Sequence, residues 1–82
     1  MSMDMMEFVM EIEDTFGITI PDEHYQHLGT VGSLAEYIVE KCPGSKRDEV
    51  WKTVQRIASE QFQIPPEEIV PTARWVEDLK LD

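Results

Sequence analysis

Apolar residues recur along this chain at spacings of three and four in three separate stretches. In "MDMMEFVMEIEDTF", residues 3–16, Met5, Phe8, Val9, Ile12 and Phe16 share one side of a helix, while Asp4, Glu7, Glu11 and Asp14 share another. Gly17 supplies a helix stop, and "ITIPDE" leaves in extended form because Ile20 precedes a proline, with Ile18 and Ile20 turned inward. A short helical turn is expected in "PDEHYQHL", with Pro21 at its first position. The second periodic stretch is "VGSLAEYIVEK", where Val31, Leu34, Ala35 and Ile38 form the stripe and Thr30 is the N-cap. "CPGS" breaks it, and Ser45 followed three residues later by Asp48 predicts a capping box for a third helix, 46–62. Val50, Val54, Ile57, Ala58 and Phe62 are its buried stripe. Beyond Gln63 the periodicity ends, and "QIPPEEIVPTARWVEDLKLD" reads as a long ordered loop with a helical turn at "PPEEI". Ile64, Ile69, Trp75, Val76 and Leu79 are the residues that could pin this loop to the core.

Three helices in 82 residues make a single all-α domain, since a chain this short rarely supports two cores. The formal net charge of −10 repels phosphate backbones and anionic lipid, so nucleic acid is excluded as a partner and basic protein surfaces are favoured. No apolar run has the length of a membrane span or of a signal peptide's apolar region. Cys42 has no second cysteine to pair with, which suits a reducing cytoplasm. Four of the seven cations, Lys46, Arg47, Lys52 and Arg56, lie on the third helix. His24 and His27 are three apart, but no further ligand stands at a diagnostic spacing, and no metal site is expected from them. Trp51 and Trp75 read as core anchors.

Three segments together resemble the acyl carrier protein family. "SMDMMEFVMEIEDTFGITIPDE" is similar to that family's Asp-Ser-Leu motif, the recognition helix behind it and the loop that follows; "LGTVGSLAEYIVEK" is similar to its last helix. "EVWKTVQRIASEQFQIPPEEIVPTARWVEDLKLD" is similar to its first helix and long first loop. In the family the third segment comes first and runs directly into the first. The resemblance therefore implies a circularly permuted order within one domain, 1–82. Residues 1–41 resemble the C-terminal half, 42–45 are a connecting turn, and 46–82 resemble the N-terminal half. The cut falls inside the Asp-Ser-Leu-like motif, between Asp82 and Ser2.

The resemblance also implies a chemistry. Ser2 matches the serine that a phosphopantetheinyl transferase esterifies from coenzyme A, giving a covalent 4'-phosphopantetheine whose thiol carries acyl groups as thioesters. A serine at a helix start suits such a phosphate, which meets unpaired backbone N–H groups and the positive end of the helix dipole. Asp82, Met3 and Asp4 are its motif neighbours. Asp4, Glu7, Glu13 and Asp14, with Met6 and Met10 between them, match the positions where basic patches of acyl-handling synthases dock. The implied protein is a cytoplasmic carrier for fatty-acid-type synthesis with no catalysis of its own. Taken alone, Ser2 reads as a plain N-cap, and a solvated face is the other reading of the acidic stripe. Two other readings stay open: an unmodified carrier-like binding or folding module, natural or engineered, and a carrier of aminoacyl or D-alanyl groups. A monomer and a domain-swapped dimer hinged at 42–45 both fit the order of segments.

Overall fold

Each periodic stretch folds as a helix: α1 is Met3–Phe16, α2 is Val31–Lys41 and α3 is Arg47–Phe62. The structure, a computed structural model, describes residues 3–21, 23–24 and 28–75, with side chains in α1 described from Met6 onward. A 3-10 turn, Pro66–Glu68, occupies the expected place in the long loop. Among the described residues there is no strand, only an isolated antiparallel bridge between Thr30 and Arg74. The fold is thus the all-α three-helix bundle expected, and no helix among the described residues is long and apolar enough to cross a membrane.

The helix ends show why these segments stop where they do. Gly17 takes a left-handed φ of 66°, which lets the Ile18 N–H return to the Glu13 carbonyl at 3.1 Å. Gln63 ends α3 in the same way, at φ 56° and without glycine's freedom, with the Ile64 N–H on the Ser59 carbonyl at 3.2 Å. The Ser59 hydroxyl donates to the Ile64 carbonyl at 2.6 Å and closes the turn a second time. At the start of α3 the expected capping box is absent. The N-cap is Lys46, with no side-chain cap, so Ser45 lies one residue too early and Asp48 falls at the second helical position. Ser45 instead donates its N–H to the Cys42 carbonyl at 3.1 Å, in a turn where Gly44 adopts φ 94°. Asp48 and Glu49 still favour this helix start through the dipole.

A reciprocal box does form at α2. The Ser33 N–H donates to the Thr30 hydroxyl and the Thr30 N–H to the Ser33 hydroxyl, each at 3.1 Å. Two further amides at this helix start are satisfied from far along the chain: Val31 donates to the Ala73 carbonyl at 3.0 Å and Gly32 to the Pro71 carbonyl at 2.9 Å. The loop after α3 therefore lies directly on the N-terminus of α2. It is anchored there by Trp75, buried, whose indole N–H donates to the Leu28 carbonyl at 2.9 Å and whose backbone N–H donates to Gly29 at 3.2 Å. The Gln55 side-chain amide fixes the middle of the loop by donating to the carbonyls of Pro66, 2.8 Å, and Ile69, 3.1 Å.

All three helices and the loop supply the core. Phe8, Ile12, Val31, Ile38, Val54, Ala58 and Ile69 are fully buried, and every residue of the α2 stripe lies inside. Phe16 and Phe62 are half-buried against it. The rings of Phe8, Phe62 and Trp75 make a cluster with centroids 5.1 to 6.3 Å apart, joining α1, α3 and the loop. Ile69 and Trp75 are thus true pins and Ile64 is half-buried, whereas Val76 and Leu79 lie outside the described residues, as does the Met5 side chain. Trp51 is half-buried against the core.

The loop's approach makes Gly32 indispensable. A Cβ there would stand 2.7 Å from the Pro71 carbonyl oxygen. Helix propensity alone favours Gly32→Ala by about 1 kcal/mol. The clash reverses the sign, and urea titration of Gly32→Ala is expected to show a net loss of about 1–3 kcal/mol.

Candidate functional site

Helix α1 buries Phe8, Val9 and Ile12, half-buries Glu13 and Phe16, and turns its other described side chains to solvent. At 100° per residue, Met10 and Asp14 lie at the centre of that outer face, Glu7 and Glu11 on one flank and Met6 and Glu13 on the other. Met6 and Met10 are 53% and 60% exposed, large values for apolar side chains four apart in a helix, and Glu7, Glu11 and Asp14 are exposed beside them. Met10 therefore sits among carboxylates, as a small apolar island with a negative border. On one flank Glu7 receives a long hydrogen bond, 3.4 Å, from the Gln61 amide of α3. On the other, Glu13 is half-buried and its Oε2 accepts the Ile20 backbone N–H at 2.7 Å.

The charge on this helix is not explained by the helix's own stability. α1 carries Asp4, Glu7, Glu11, Glu13 and Asp14 and no basic residue. Asp4 and Glu7 lie toward the positive end of the dipole, but Glu11, Glu13 and Asp14 crowd toward the negative end, and Glu7 and Glu11 repel at i, i+4. Each unfavourable placement costs on the order of 0.3–1 kcal/mol at low ionic strength. An opposing cationic surface would relieve these costs together.

Of the site residues expected from the sequence, Met6, Glu7, Met10, Glu13 and Asp14 come together on α1. Met3 and Asp4 are in its first turn, with side chains outside the described part. Ser2 and Asp82 lie outside the described residues. The Glu13–Ile20 and Glu7–Gln61 contacts were not foreseen. Periodicity places Glu13 on the outer edge of the helix, and no sequence signal shows that the next loop folds back onto it.

His24 has its Nδ1 2.9 Å from the Tyr37 hydroxyl, and Lys41 stands over the same tyrosine ring at 5.4 Å. His27 is outside the described residues. Among the described residues no group of three or more His, Cys, Asp or Glu side chains is placed to hold a metal.

Comparison with known proteins agrees with this geometry on one half of the chain. Residues 2–38 match the family described as "Phosphopantetheine attachment site". The acyl carrier protein of Lactobacillus johnsonii is 54% identical over 37 residues, 45% of this chain and 46% of that protein. The acyl carrier protein of Rubrobacter xylanophilus is 44% identical over 39 residues, 48% of each. The chain spans about half the length of the curated relatives it matches. No solved structure matches it. The stretch that holds α1 and most of α2 is thus similar to a phosphopantetheine attachment site.

Proposed function

We propose that this chain is an acyl carrier, presenting acyl groups as thioesters on a 4'-phosphopantetheine arm esterified to Ser2, in fatty-acid-type synthesis. The observation that carries the reading is the match of residues 2–38 to a phosphopantetheine attachment site. The residues present suit such a group. Ser2 offers a hydroxyl immediately before a 14-residue helix that begins at Met3, and the first four amides of a helix have no intrahelical partner. Inside a phosphopantetheinyl transferase, the Ser2 hydroxyl would attack the pantetheine-side phosphate of coenzyme A and give its proton to a base; the pyrophosphate bond breaks, adenosine 3',5'-bisphosphate leaves, and Ser2 is left as a stable phosphodiester. The arm supplies a thiol on a long flexible tether, and the protein supplies position without catalysing a reaction.

The outer face of α1 is the docking surface in this reading. Met6 and Met10 offer adaptable apolar contact, and the exposed Glu7 and Asp14 select basic patches on the transferase and on acyl-handling synthases, with Glu13 at the edge of the same face. The cytoplasm is the compartment that fits, with Cys42 as a free thiol.

The same proposal includes a circularly permuted order, which rests on the sequence of segments. Similarity to known carriers covers about half of each relative, as expected if the remaining half stands elsewhere in the order. The short connection between α2 and α3 supports it, since helices joined by so few residues pack as antiparallel neighbours. Arg47 at the start of α3 meets Glu36 of α2 at 3.2 Å across that hairpin. In this arrangement residues 46–82 form one half of a single domain and 1–41 the other, joined by the turn 42–45.

Two measurements test the reading. Intact-mass spectrometry after incubation with a broad-specificity phosphopantetheinyl transferase and coenzyme A is expected to show one added phosphopantetheine, absent in Ser2→Ala. A folded, helical protein that takes up none would instead be an unmodified carrier-like module. Separately, Asp14→Lys removes a misplaced charge from the end of α1. It is expected to raise folding stability by about 0.3–1 kcal/mol in low salt while slowing modification by the transferase, a divergence that a purely structural acidic stripe would not produce.

A further inference from the structure

Among the described carboxylates of α1, Glu13 stands apart in both burial and bonding. Glu7, Glu11 and Asp14 are exposed, whereas Glu13 is half-buried. Its two acceptors bracket the turn that follows the helix: the backbone carbonyl takes the Ile18 N–H at 3.1 Å, and the carboxylate takes the Ile20 N–H at 2.7 Å. Ile20 is only 3% exposed, so its amide is withdrawn from water and depends on this acceptor. Between the two bonds lie Gly17, which reverses the chain, and Thr19, which stays exposed.

We infer that Glu13 is a positioning residue for the docking helix. Its carboxylate holds the 17–20 turn against the last turn of α1 and so fixes the end of the helix that presents Met10 and Asp14. The inference rests on α1 being the docking surface and revises one residue's part in it: Glu13 acts by accepting a hydrogen bond, not by meeting a partner's cation. An orphan C-terminal turn frays in the absence of such a bracket, and a frayed turn cannot present Met10 and Asp14 in one register.

Glutamine separates the two roles, because its side-chain carbonyl can accept the same N–H without the charge. The experiment compares the parent protein, Glu13→Gln and Glu13→Ala by amide hydrogen exchange at Ile20 and by kcat and KM for the protein with a broad-specificity phosphopantetheinyl transferase. In Glu13→Ala, exchange at Ile20 is expected to accelerate by about tenfold or more, as loss of a bond to a charged acceptor requires. KM is expected to rise several-fold with little change in kcat, as weaker docking without a change in the chemical step requires. Glu13→Gln is expected to restore both the protection and the KM. Two results would overturn the inference: unchanged Ile20 exchange in Glu13→Ala, or a KM in Glu13→Gln as high as in Glu13→Ala while Ile20 stays protected, which makes the charge itself the contact. If the parent protein takes no phosphopantetheine, the carrier reading fails, and the inference falls with it as regards docking. Exchange at Ile20 then decides the bracket by itself.

Discussion

Helix α2 begins with amides that no turn of that helix can satisfy, and the way they are satisfied organises the rest of the molecule. Thr30 and Ser33 answer one another. Val31 and Gly32 are answered by Ala73 and Pro71, more than thirty-five residues further along. A loop that must deliver two carbonyls to a helix end cannot wander. Trp75 secures it through the Leu28 and Gly29 carbonyls, and Gln55 secures its middle. The described part of the long loop, 63–75, is therefore held as specifically as the helices, through backbone polar groups that burial forces into pairs.

The same loop unites the two halves of the chain. Phe8 of α1 lies fully buried against Phe62 at the end of α3 and Trp75 at the end of the described loop. Neither 1–41 nor 46–75 holds this cluster alone, and the α2 cap is also shared between them. The covalent connection is by contrast a short turn, exposed from Pro43 to Lys46 and closed by the Ser45 N–H on the Cys42 carbonyl. This arrangement of non-covalent contacts determines how the two halves meet, as the proposed permuted order requires. It also places α1, with its unbalanced acidic face, on a rigid support formed by the opposite half.

The helices were legible because each carries its apolar stripe at the helical period: Phe8, Val9 and Ile12, then Val31, Leu34, Ala35 and Ile38, then Val50, Val54, Ile57 and Ala58. Gly17 was legible as a stop for a backbone reason. Ser45 misled because a capping box is defined by register, and Gly44 turns the chain so that the helix begins one residue late. The Thr30–Ser33 box was half visible, since Ser33 is short for a residue expected to reach back to the cap. Gly32 gave no warning at all: its need arises from the Pro71 carbonyl, a neighbour only in three dimensions. The same holds for Glu13 and Ile20, so the candidate site was readable as a face of α1 but not as a set of residues with different duties.

The rest of the molecule depends on the loop's hold on α2, and native-state hydrogen exchange at Val31 and Gly32 reads that hold directly. Amides at the first two positions of a helix ordinarily exchange as freely as a frayed end. Here they are predicted to be protected nearly to the level of global unfolding, and to lose that protection in Trp75→Ala faster than amides in the middle of α2 do. Rapid exchange at both positions in the intact protein would contradict the account, because the loop would then not be capping the helix, nor joining the two halves around it.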